Sequence, residues 1–136
     1  MHSFRKAVED RDEAAIEALL AEDVVFTSPV AFKPYPGKPI TAAILRGVMC
    51  VFTDFRYTRE IGDPDGQDHA LVFEATVAGK KVTGCDFLHV NDDGLIDDFM
   101  VMVRPLSAAT ALAEAMGAQF DRIQRDALES GQQLHP

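Results

Sequence analysis

The spacing of apolar positions changes several times along the chain, and each change predicts an element. Phe4, Ala7 and Val8 cluster at helical spacing, and so do Ile16, Leu19 and Leu20, so residues 2–20 read as helix broken near Asp10-Arg11-Asp12. Asp12 is placed to cap the second piece, where Ala14 and Ala15 favour helix. Val24-Val25-Phe26-Thr27-Ser28 reads as a short strand, which Pro29 stops because it has no backbone donor. Ile40, Ile44, Val48 and Val51 restore the helical period from Pro39 to about Phe52. Alternation follows. Phe55, Tyr57 and Ile61 oppose Arg56, Thr58 and Glu60; after the Asp63-Pro64-Asp65-Gly66 turn, Leu71, Phe73, Ala75 and Val77 oppose Val72, Glu74 and Thr76.

The longest alternating stretch is Lys80 to Pro105, two extended runs around Asn91-Asp92-Asp93-Gly94, which predicts an antiparallel hairpin. Val82, Gly84, Asp86, Leu88 and Val90 share one face of its first strand; Thr83, Cys85, Phe87 and His89 share the other. On the second strand Leu95, Asp97, Phe99, Val101 and Val103 oppose Ile96, Asp98, Met100, Met102 and Arg104. Asp86 is the anomaly, a carboxylate between Gly84 and Leu88 on a face otherwise apolar. Leu106, Ala109, Ala113, Met116 and Phe120 then return to helical spacing, with Gly117 expected to end or kink that helix and residues 118–136 forming an extension, partly helical or loose. Helices followed by a run of antiparallel strands predict an α+β domain, with a curved sheet wrapped around a long helix and a pocket between them.

Composition narrows the possible functions. A chain of 136 residues with 47% hydrophobic content makes one domain spanning 1–136, with a substantial core. Thirteen Lys and Arg against 22 Asp and Glu give a formal net charge of -9, which repels phosphate backbones and anionic membrane surfaces. Neither nucleic acid nor membrane is expected as a partner, and a cytoplasmic location is. Cys50 and Cys85 lack CxxC spacing and read as free thiols. No HExxH, phosphate loop or nucleophile elbow is present, so no metal or cofactor is expected. Asp97 and Asp98 are adjacent on a strand and point opposite ways, against a paired-carboxylate site. Four of the seven prolines fall between Pro29 and Pro39, where Phe32 and Tyr35 can anchor a loop that either rims a pocket or merely connects.

The order helix, short strand, Pro-rich loop, helix and four-stranded meander resembles the nuclear transport factor 2-like (NTF2-like) superfamily, including SnoaL-like polyketide cyclases and ketosteroid isomerases. The residues carrying the resemblance are Asp12 to Val24, Ser28-Pro29, Thr41-Ala42-Ala43-Ile44, and Asp86 followed by Asn91 to Ile96. It implies a cone-shaped, cystatin-like fold with a pocket at the wide mouth, frequently a homodimer. Residue by residue, Asp86 falls where ketosteroid isomerases hold a protonated acid that donates to the substrate oxyanion. Their proton-shuttling Asp corresponds to Ser28 and their oxyanion Tyr to Phe4, so steroid isomerase activity of that kind is not expected.

One fold hosts many chemistries, so two functions from different classes stay open. The first is a small-molecule-binding domain doing acid-base chemistry of the isomerase or cyclase type on a hydrophobic carbonyl compound. Asp86 would be its acid, with Ser28, Tyr35 and Tyr57 as further polar groups. Phe4, Ile44, Val48, Phe73, Leu88, Phe99, Val101 and Val103 would supply the apolar lining. The second is a non-catalytic homodimeric module for ligand binding or dimerisation. The far sheet face, with Val72, Cys85, Phe87, Ile96, Met100 and Met102, predicts the homodimer in either case.

Overall fold

The computed structural model describes residues 2–133. The interrupted first helix is present as α1 (Ser3–Glu9) and α2 (Glu13–Ala18), and the Asp12 carboxylate accepts the Ala15 backbone N–H at 3.1 Å as its cap. The chain turns extended earlier than periodicity suggests. Leu20 opens β1 (Leu20–Thr27), because its side chain is buried in the core and its backbone pairs with Ile96. A two-residue strand, β2 (Tyr35–Pro36), interrupts the Pro-rich loop and pairs with Val25 and Phe26. Then follow α3 (Lys38–Val51), β3 (Thr53–Ile61), β4 (Asp68–Val77), β5 (Lys80–Val90), β6 (Ile96–Arg104) and α4 (Leu106–Gln133).

The six strands form one sheet in the order β2-β1-β6-β5-β4-β3. The meander β3 to β6 is antiparallel as expected, but β1 joins β6 in parallel. Its direction is set by the path from α2, so the sheet is mixed rather than wholly antiparallel. Bulges in the β1–β6, β3–β4 and β5–β6 pairings bend and twist it. The bulge near the hairpin tip corrects two side-chain placements. Asp97 is the extra residue, because His89 pairs with Asp98 while Val90 pairs with Ile96. Ile96 therefore turns inward and is buried, leaving the far-face apolar set, and Asp97 turns outward to His89 Nδ1 at 2.6 Å. Strict alternation cannot predict an inserted residue.

The concave sheet face and the helices enclose a single core, including Phe4, Leu20, Leu71, Phe73, Phe99, Ala108 and Leu112. Gly117 does not end α4, which runs through it to Gln133. The second half of α4 is fastened to α3. Arg46 makes two bonds to the Asp126 carboxylate, at 2.8 and 3.0 Å, and lies 3.6 Å from Glu17. Gly47 lets the two helices approach, since a Cβ there would lie 2.9 Å from Ile123 Cδ1. The expected loose end at 130–136 is thus helical as far as Gln133, and residues 134–136 lie outside the described residues. Among the described residues no helix is long and apolar enough to cross a membrane.

Gly84 is the other close approach. It pairs with Phe73 on β4, whose ring lies across it, and a Cβ built on Gly84 would meet Phe73 Cζ at 2.2 Å. The ring is fully buried and cannot swing away without opening a void. Gly84→Ala is expected to cost about 1–3 kcal/mol by overpacking. Phe73→Leu in the same chain should recover part of that loss, and urea denaturation of the two single variants and the double variant measures it. Independent, additive losses would remove this account of the glycine.

Candidate functional site

A cavity of about 420 Å³ lies between the concave sheet and the helices, within the usual size range for small-molecule sites. Its inner wall is aromatic. Phe55 stacks on Phe73 at 4.9 Å between ring centres and meets Tyr57 edge-on at 5.0 Å; Phe4 and Phe26 flank Phe99 at 5.2 and 5.3 Å. One side is α3, through Ile44, Leu45, Val48 and Met49. Another is α4, through Leu112, Ala113, Met116, Gly117, Phe120 and Ile123. The loop after β1 contributes Ser28, Pro29, Val30 and Ala31 to the rim.

Asp86 opens onto this cavity from β5. Strand alternation turns its side chain inward, and the register sets it between Leu71 on β4 and Val101 on β6. It is 5% exposed, and the Tyr57 hydroxyl donates to its Oδ2 at 2.7 Å. Its other oxygen has no protein partner among the described residues, yet no buried side-chain oxygen is left unpaired, so Oδ1 reaches the cavity. Burial raises the carboxyl to about 7, with the Tyr57 hydrogen bond pulling the other way. Burial, and then the Asp86 charge, raise Tyr57 well above the usual phenol value, so it stays a neutral donor. Among the described residues no Lys or Arg pairs with Asp86: Arg5 binds Glu9 and Glu60, and Arg46 binds Asp126 and Glu17. A neutral carboxylic acid here can donate a hydrogen bond to an oxygen in the cavity, which a carboxylate cannot.

The structure brings most of the sequence-derived residues to the cavity: Phe4, Ser28, Tyr35, Ile44, Val48, Tyr57, Phe73, Asp86, Phe99 and Val101 all line it. Leu88 and Val103 do not. Leu88 is buried in the core one inward position nearer the hairpin tip, and Val103 stands opposite Gly84, whose space the Phe73 ring occupies. The Ser28 hydroxyl accepts the Val30 N–H at 3.1 Å, a local turn that holds the rim. Sequence reasoning missed Glu9, Arg11, Met49, Phe52 and Phe55, together with every α4 residue at the cavity. The apolar stripe of α4 was visible in the sequence, but the way the helix folds back along α3 was not.

The fold recurs in known proteins. Residues 1–99 match the family described as the SnoaL-like domain. The chain belongs to the SnoaL-like family. A steroid delta-isomerase from Pseudomonas aeruginosa is 40% identical over 90% of this chain and 89% of its own, with a TM-score of 0.83. A bacterial protein with a cystatin-like fold from Silicibacter pomeroyi is 38% identical, with 91% of each chain covered and a TM-score of 0.81. An NTF2-like protein from Cytophaga hutchinsonii, 19% identical over 76% of this chain and 85% of its own, shares the fold at a TM-score of 0.58. Comparison with curated proteins gives no match. This SnoaL-like domain therefore has the NTF2-like α+β fold and is related to the steroid isomerases.

The elevated Asp86 value makes stability depend on pH in a defined direction. The folded state keeps a proton on Asp86 that the unfolded state releases near 3.8. This contribution is complete below 3.8 and is lost as pH rises through about 7. At about 1.4 kcal/mol per pH unit the loss reaches roughly 4 kcal/mol. Asp86→Asn, which still accepts from Tyr57, should lack this slope and equal or exceed the parent at neutral pH. Urea titrations of both proteins across this window measure it, and parallel pH profiles would mean that Asp86 is ionised in the folded chain.

Proposed function

We propose that this SnoaL-like domain binds a compact hydrophobic ring compound whose carbonyl or phenolic oxygen accepts a hydrogen bond from protonated Asp86. The observation that carries this reading is the open side of the Asp86 carboxyl. One oxygen is held by Tyr57 and the other faces a mostly apolar cavity. In so apolar a space a single donor can both orient a ligand and polarise its carbonyl, where charge developing on the oxygen is stabilised without competition from water. Relationship to a steroid delta-isomerase supports the ligand class.

Acid-base chemistry of the isomerase or cyclase type needs a proton acceptor as well. Ser28, at the isomerases' base position by resemblance, is an alcohol without a base beside it and cannot take a proton from carbon at neutral pH. Among the described residues Glu9 is the other carboxylate lining the cavity, and Arg5 holds it at 3.3 Å. Polarised binding is therefore the core of the proposal. Catalysis would belong to substrates that are activated by the acid alone or that reach Glu9.

Naphthol tests the reading. Titration with 2-naphthol should shift amides of β5 and β6, and Asp86→Leu should weaken binding without abolishing it. Gly117→Leu adds a side chain where a Cβ would meet nothing within 4 Å, so it should not destabilise α4. Because Gly117 lines the cavity, the same change should weaken 2-naphthol binding about tenfold. Shifts confined to the protein surface, or affinity unchanged in Gly117→Leu, would count against an internal site.

The second proposed feature is a homodimer formed through the far sheet face. Val72, Cys85, Phe87, Met100 and Met102 are neighbours there across β4, β5 and β6, with Phe87 37% and Met102 53% exposed. Isologous pairing would bury this patch. Sedimentation should give about twice the chain mass of 14.9 kDa, and Met102→Glu should shift the protein to monomer. A wild-type monomer at micromolar concentration would remove the proposal.

A further inference from the structure

The charged groups lining the cavity are unevenly matched. Asp86 lies at the inner end against Tyr57, and Glu9 is held by Arg5, which also binds Glu60 at 3.3 Å. Arg11 is the remaining charge and, among the described residues, the one cationic side chain lining the cavity. It is exposed, in the turn between α1 and α2, and has no carboxylate within 4.0 Å among the described residues. Its position is nonetheless fixed. The backbone is left-handed there, with φ 52°, and the guanidinium reaches across to α3 to donate to the Met49 carbonyl at 3.3 Å. A guanidinium carries five N–H donors, so most remain available to an anion.

The chain's formal net charge of -9 makes this position matter. An anion approaching the protein meets overall repulsion, and only a local cation can reverse it. Glu9 also lines the cavity and works against Arg11, but it is paired with Arg5, which it shares with Glu60. We infer that the ligand carries an anionic oxyacid group, a carboxylate or sulfonate. Arg11 holds this group at the mouth, at the opposite end of the ring framework from the oxygen that meets Asp86. This deepens the ring-compound reading and rests on it.

The test compares 2-naphthol with 6-hydroxy-2-naphthoate and 6-hydroxy-2-naphthalenesulfonate by calorimetry at low salt. The pH is held just below the Asp86 value of about 7. One or both anions should bind about threefold to tenfold more tightly than the naphthol, and added salt should shrink that advantage. Which anion gains more identifies the oxyacid. In Arg11→Gln the ratio of anion to naphthol affinity should fall to about one, and in Arg11→Lys part of it should survive. Gln is as disfavoured at positive φ as Arg, so the backbone is equally strained in that variant, and thermal melts check its fold. A ratio near one in the parent protein, or a raised ratio that Arg11→Gln leaves intact, overturns the inference while the naphthol site stands. If none of the three compounds binds, the ring-compound reading fails and this inference fails with it.

Discussion

A carboxyl group buried in an apolar sheet face is costly unless it is neutral or paired, and the arrangement around Asp86 meets that cost in both ways. Tyr57 donates to one oxygen at 2.7 Å, and burial raises the group to about 7, so near neutrality a large fraction carries a proton. Both partners depend on the sheet. The Asp86 side chain turns inward because β5 alternates without a break until the bulge beyond His89, and Tyr57 reaches it from β3 across the intervening β4. The hydrogen bond therefore links the edge strand of the meander to its centre. A cavity walled by long strands and buried aromatic rings is preorganised.

Glycine sets how closely the parts come together. Gly84 lets the tip of the Phe73 ring come up against β5 and fill the space opposite Val103, which does not line the cavity. Gly47 brings α4 against α3 at Ile123, and the Arg46–Asp126 pair fastens the same crossing from outside. Exposed ion pairs add little stability singly, but a two-bond guanidinium–carboxylate contact also fixes orientation. Together they hold the far half of α4 along the cavity, so that Phe120 and Ile123 become part of its wall.

The outer surface of the sheet is organised differently. His89 lies between Asp68 and Asp98 in register and bonds Asp97, which raises its pKa; the hydrogen bond is the main cause, with the neighbouring carboxylates adding to it. These polar residues occupy the hairpin end of that face, while Phe87, Met100 and Met102 occupy its middle. Such a division, charged at one end and apolar at the centre, suits a face that is partly covered by another molecule and partly left in water.

The sequence by itself determined most of the elements and the inward placement of Asp86. Alternation through β4 and β5 put Phe73 and Asp86 on the inner face, and helical spacing in α3 put Ile44 and Val48 toward them. Period alone carries that information, because one face of each element must leave water. What the sequence could not determine is where one element meets another. The parallel β1–β6 pairing, the bulge that turns Ile96 inward, the Tyr57 partner of Asp86 and the return of α4 over the cavity all join residues far apart in the chain. Such pairings follow from packing many faces at once, with insertions such as Asp97 absorbed where the sheet must bend. Arg11 shows the same limit. In the sequence it is one charge in a turn, and only the tertiary structure decided that the turn stands at the mouth of the cavity, with the guanidinium on the carbonyl of Met49.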